Sequence, residues 1–136
     1  MRNFSYAPRF EVLADGTLYA RAGVQTNSAG VAGVHVRITP DTSGEITFRL
    51  AGEAPTEGGY GVAVPGTAVP AAFRDALFQG AREAFEAHAP GVGVCFELID
   101  ALVHPVDANE SKFVAAGVTA VEGWLDLYAR GSVGRR

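Results

Sequence analysis

The sequence predicts an α+β fold, a two-layer sandwich in which two helices cover one face of a mostly antiparallel sheet of four to five strands. Three observations predict it. The first half alternates apolar and polar residues with a period of two, the mark of strands covered on one side only. Two later segments carry apolar residues at helical spacing. The 136 residues are 48% apolar and 19% charged, enough to build one core and too short for two ordinary domains. We therefore expect a single domain over residues 1–136, with an ordered core at about 8–130 between loose termini.

The elements follow in order. Phe10 to Leu13 and Leu18 to Ala22 flank Ala14-Asp15-Gly16-Thr17, and an Asp-Gly turn between apolar runs signals a hairpin. Val34, Val36 and Ile38 then alternate with His35, Arg37 and Thr39. After the turn Pro40 to Gly44, Ile46, Phe48 and Leu50 alternate with Glu45, Thr47 and Arg49. These two runs read as an antiparallel pair, with Arg37 and Arg49 near Glu45 for cross-strand pairing. Ala51 to Thr67 is rich in Gly, Pro and Glu and reads as a long loop.

From Pro70 the period changes. Phe73, Leu77, Ala81, Ala84, Phe85 and Ala87 or His88 lie at helical spacing, Pro70 suits a first turn, and Pro90-Gly91 ends the run. Val92, Val94, Phe96 and Leu98 share one face of a further strand within 91–104. The last helix begins at Asp107-Ala108-Asn109-Glu110, where Asp107 and Glu110 have capping-box spacing. Its stripe is Phe113, Gly117, Val121, Trp124, Leu125 and Tyr128. Gly80, Gly117 and Gly123 each weaken a helix interior, which predicts that the two helices approach closely there. The order is β-β-β-β-α-β-α.

Several function classes are excluded on this reading. The one lysine, Lys112, follows Ser111, whereas a P-loop needs glycine before its lysine. Glu57 to Gly61 is glycine-rich but does not lead into a helix start, so no aligned N–H groups await a phosphate. His35, His88 and His104 lack zinc-ligand spacing, and Cys95 reads as a small buried hydrophobe in an apolar strand. No serine stands in a nucleophile elbow. The expectation is therefore no enzyme, with no cofactor, nucleotide or metal. One cysteine forms no internal disulfide, and no apolar run spans a bilayer, so a cytoplasmic protein without membrane contact is expected. The net charge of −4 confines any nucleic-acid contact to a local patch. Ten arginines against one lysine, with abundant alanine and glycine, suggest a GC-rich bacterial genome.

The stretch His104-Pro105-Val106-Asp107-Ala108-Asn109-Glu110-Ser111-Lys112-Phe113 resembles the tip loop of domain IV of elongation factor G, where bacterial members read H-D-V-D-S-S-E-x-x-F. Val69 to Ala72 with Gly80-Ala81-Arg82-Glu83 is similar to that domain's I-P-x-x-Y-I-P-A-V-x-x-G-I-x-E segment. Gly91 to Val94 takes the place of its G-Y-P-V, and Gly30 to Gly33 with His35-Val36 that of its G-Q-Y-G-H-V. The similarity covers about residues 29–128.

That resemblance implies a left-handed β-α-β crossover and two loops forming one tip that reaches the decoding site. His104, Val106, Asp107 and Glu110 match one loop, and Gly30 and Gly33 match the other. It implies a ribosome- or RNA-associated translation accessory, partnered by the small subunit at its decoding site and lacking the GTPase domains. Val31, Ala32, Pro105 and Ala108-Asn109 replace polar residues of the family's tip. Those replacements keep a second reading open, a protein–protein interaction module on the same scaffold with an unidentified protein as partner.

Overall fold

The computed structural model describes residues 10–23, 31–52, 63–103 and 109–129. Its strands are β1 (Phe10–Val12), β2 (Leu18–Gly23), β3 (Val31–Pro40), β4 (Ile46–Leu50), β5 (Ala63–Pro65) and β6 (Val94–Leu102). A 3₁₀ turn at Gly66–Ala68 leads into α1 (Ala71–His88), and α2 (Glu110–Ala129) follows β6. The fold is α+β, with a mixed six-stranded open sheet under two helices.

The expected hairpin forms. Leu13 N donates to Thr17 O (2.8 Å), and Gly16 takes φ +85°, a conformation that a side chain would strain. β1 pairs β2 and β2 pairs β3, each antiparallel.

Beyond β3 the sheet departs from the expected pairing. β3 and β4 are not neighbours, because β6 lies between them and the strand order is β1-β2-β3-β6-β4. β6 runs antiparallel to β3 and parallel to β4. The sheet is mostly antiparallel, as expected, and the one parallel pair, β4–β6, makes it mixed; β4, α1 and β6 form a β-α-β crossover. Arg37 accordingly meets Glu97 of β6 (3.0 Å) and not Glu45. A period of two reports which face a residue occupies, not which strand lies beside it, and so the inserted strand was invisible to alternation.

A second correction concerns the expected loop Ala51 to Thr67, which contains β5. Its three residues pair antiparallel with the end of β6 through Ala63–Leu102 and Pro65–Asp100. β3 holds the other flank of β6, so β4 and β5 follow one another along the same flank. Proline is tolerated at such an edge because no ladder donor is needed from it. Three residues are too few for a periodic signal.

α2 begins at Glu110, three residues later than expected, and Asn109 caps it. The Asn109 side-chain oxygen accepts from Lys112 N (3.0 Å), while Phe113 N donates to Asn109 O (3.3 Å). Asp107 lies outside the described residues.

The two helices run in the same direction, since contacts climb together from Phe73–Phe113 to Phe85–Trp124. Glycine permits their approach. A Cβ at Gly80 would stand 2.1 Å from Val114 O, and one at Gly117 would stand 2.3 Å from Leu77 O. Gly123 serves a different contact, with the Phe10 ring of the hairpin, so only two of the three glycines belong to the helix seam. Between the layers Trp124, Phe85, Phe96, Phe113, Leu77 and Leu98 are fully buried. Burial stabilises the fold by roughly 1.5–3 kcal/mol for each large aliphatic or phenylalanine side chain.

Candidate functional site

The sequence placed its candidate site at two loops on one end of the sheet. Gly30, His104, Val106 and Asp107 lie outside the described residues, whereas Gly33 and Glu110 lie within them. Gly33 is buried in β3, opposite Arg21 on one side and Leu102 on the other. That register fixes an important relation: β3 begins and β6 ends at the same end of the sheet. β2 ends there too, with Gly23 opposite Val31, and β5 begins there, with Ala63 opposite Leu102. Glu110 is exposed in the first turn of α2, where the helix dipole favours a negative charge.

The helix-free face of the sheet carries the polar chemistry. Register aligns Glu11, Tyr19, His35 and Asp100 in one row across four strands. A β-bulge at Ile99, between Asp100 and Leu98 and opposite the His35–Val36 step, turns Asp100 onto this face although Leu98 faces the helices. Asp100 is 4% exposed and Thr17 is fully buried, and both are satisfied by the same imidazole. His35 Nδ1 lies 2.7 Å from Asp100 Oδ2, and His35 Nε2 lies 2.7 Å from Thr17 Oγ1. Thr17 Oγ1 also donates to Asp15 Oδ1, which accepts Thr17 N as well (3.0 Å).

Those bonds hold the Asp15 carboxyl below its ordinary range, the Thr17 hydroxyl first and the Thr17 amide second. The positive fields of His35 and Arg37 add to them, and partial burial opposes them. A neighbouring row sets Glu97 between Arg37 and Arg49.

Acid, imidazole and hydroxyl in series have the connectivity of a nucleophilic triad. Access and proton direction are against that use. The Thr17 oxygen has no exposed surface, and its proton is directed to Asp15 and away from the imidazole. The arrangement instead ties three segments together: the β1–β2 turn, β3 and the bulged part of β6.

A second polar group lies where α1 ends beside α2. His88 Nε2 approaches Glu122 Oε2 (3.1 Å), and both line an open pocket with Leu125 and Asp126. The expected apolar position at Ala87 or His88 is therefore corrected: both are exposed, and the buried stripe of α1 ends at Phe85. Among the described residues no group of three His, Cys, Asp or Glu side chains is disposed to hold a metal ion. Cys95 is half-buried on the helix-free face, one residue out of phase with Val94 and Phe96.

The sequence reading missed the His35–Asp100 pair. A signal existed: Asp100 interrupts an otherwise apolar run from Leu98 to Val103, and a carboxylate there needs a buried partner. Its partner, 65 residues away, could not be chosen without the sheet order.

No protein-family model matches this chain, and no curated protein sequence matches it. Among the described residues no helix is long and apolar enough to cross a membrane.

Proposed function

We propose that the chain is a non-catalytic binding domain resembling domain IV of elongation factor G. In this reading it is a bacterial, cytoplasmic translation accessory that contacts the decoding site of the small ribosomal subunit, without GTPase activity. The observation that carries this reading is the Gly33–Leu102 pairing. It brings the start of β3 and the end of β6 to one end of the sheet, as a two-loop tip requires. The β-α-β crossover formed by β4, α1 and β6 supports it as well. Binding would occur through Gly30, His104, Val106, Asp107 and Glu110, with Gly33, buried in β3, positioning the first loop.

A second reading, a protein-interaction module, is favoured by charge. The net charge is −4, and Glu110 exposes a carboxylate at that same end, where a phosphate backbone would be repelled. Co-sedimentation with purified small subunits separates the two. The ribosomal reading expects binding at low salt, weakened by rising salt and by His104→Ala. No sedimentation at low salt, with a non-ribosomal protein retained on the immobilised chain and released by Glu110→Lys, decides for the second.

A further inference from the structure

The cluster on the helix-free face has a proton count that its distances constrain. Asp15 Oδ1 accepts from both the amide and the hydroxyl of Thr17. A hydroxyl has one proton, so once Thr17 has given it to Asp15 its oxygen can only accept. The atom 2.7 Å away on the other side is His35 Nε2, which must then donate. Asp100, an acceptor when ionised, takes the hydrogen of Nδ1 across 2.7 Å. Every bond in the series is made only when both ring nitrogens carry hydrogen.

We infer that Asp15, Thr17, His35 and Asp100 form a protonation-dependent latch, which fastens the β1–β2 turn to the bulge of β6 while His35 is an imidazolium. The lever is mechanical as well as electrostatic. Thr17 closes the turn through its carbonyl to Leu13 N, and β1, on the far side of that turn, holds Phe10 against Gly123 of α2. Loss of the Nε2 hydrogen leaves the single Thr17 proton facing two acceptors, so the hydroxyl can keep its bond to Asp15 or its tie to β3 but not both.

The charged and titratable groups around His35 are Asp15 from the turn, Tyr19 and Arg21 from β2, and Glu11 from β1. Arg37 from β3 and Glu97 and Asp100 from β6 complete them. Arg37 is paired with Glu97, and the carboxylate in direct contact with the ring is that of Asp100. The sign follows. The latch requires His35 protonated and is lost as pH rises through the ring's titration. It also requires both aspartates ionised and is lost again in acid. It is closed only between those limits, and this holds whichever function the domain serves.

Imidazole-selective ¹H–¹⁵N NMR on the full chain tests the latch, together with amide exchange of Leu13 and Gly16 corrected for intrinsic rates. While the latch is closed both ring nitrogens of His35 should carry hydrogen. Across the ring's titration, turn exchange should accelerate by about tenfold, the loss of one hydrogen bond to a charged group. Thr17→Val, close in shape and apolar, should abolish that step. Asp15→Ala, at an exposed position that does not endanger folding, should free the Thr17 proton and leave a ring protonated at Nδ1 alone. The latch is overturned by a wild-type ring bare at Nε2 wherever the fold is intact. A turn whose exchange shows no step, or a step that survives both substitutions, overturns it equally.

Discussion

Thr17 serves the hairpin twice, through its backbone in the turn and through its hydroxyl in the polar series, and this makes the acid behaviour of the molecule local. Asp15 is the exposed end of that series. Its folded-state pKa is lowered, so its stabilisation is complete above the ordinary aspartate range and disappears as pH falls through the folded value. Asp15→Asn keeps an acceptor for Thr17 and removes the charge. Urea midpoints measured from pH 6 to pH 3 should therefore fall less steeply for the variant than for the parent. Asp41 is lowered by Ser43 in the same manner, and the residual acid slope of the variant belongs in part to it. The buried end behaves differently. Asp100→Ala leaves the imidazole without its carboxylate in a site that water scarcely reaches, and roughly 3 kcal/mol should be lost. Arg37→Ala, which removes an ion pair from a half-exposed guanidinium, should cost less than about 1 kcal/mol. Equal losses at the two positions in urea denaturation would contradict the assignment of Asp100 to a desolvated pair.

Among the elements, the helix seam gives the sharpest contrast. Alanine gains about 1 kcal/mol of helix propensity over glycine wherever space permits. At Gly80 and Gly117 space does not permit, because the new methyl meets backbone that cannot move alone. Overpacking of this kind costs roughly 1–3 kcal/mol, so both alanine variants should melt below the parent. Gly123→Ala meets the Phe10 ring, which can swing with its short edge strand, and a near-neutral melting temperature is expected. The sequence announced these glycines as a close approach but could not say against what, since Gly123 shares α2 with Gly117 and differs from it in meeting the Phe10 ring and not the facing helix. The same limit governs the rest. Alternation in Val34 to Ile38 and Ile46 to Leu50 was legible because burial imposes it residue by residue. The insertion of β6 between those strands was not, because neighbour choice depends on contacts remote in sequence. At the start of α2 the spacing of Asp107 and Glu110 gave a stronger capping signal than Asn109, whose partner Lys112 contributes only its amide. Of the candidate site, the sheet end at Gly33 could be read, whereas the polar series could not, since it joins residues 15, 17, 35 and 100 across two strands and a turn.

For the whole molecule, the question is whether the hairpin, the sheet and the helices unfold as one body. Trp124 is the chain's single tryptophan; it is fully buried, stacked on Tyr128 at 4.8 Å and edge-on to Phe85 at 6.2 Å. It therefore reports the helix layer, while Gly123 beside it carries the ring of Phe10 from β1. Far-UV circular dichroism reports both layers together. A common core shared by sheet and helices implies that the two signals lose amplitude at one urea concentration, with a slope of roughly 1–3 kcal/mol per molar. One route by which they could separate is the hairpin, which beyond its β2–β3 ladder is tied to the rest through the row from Glu11 to Asp100 and through Phe10. Breaking the polar tie with Thr17→Val should leave the transitions coincident at a lower midpoint, because the apolar contact of Phe10 persists. Adding Phe10→Ala removes that second tie, and the fluorescence of Trp124 should then begin to change at lower urea than the bulk of the circular dichroism. Coincident curves in the double variant would show that β2, through Leu18 and Ala20 in the core, anchors the hairpin without help from either tie.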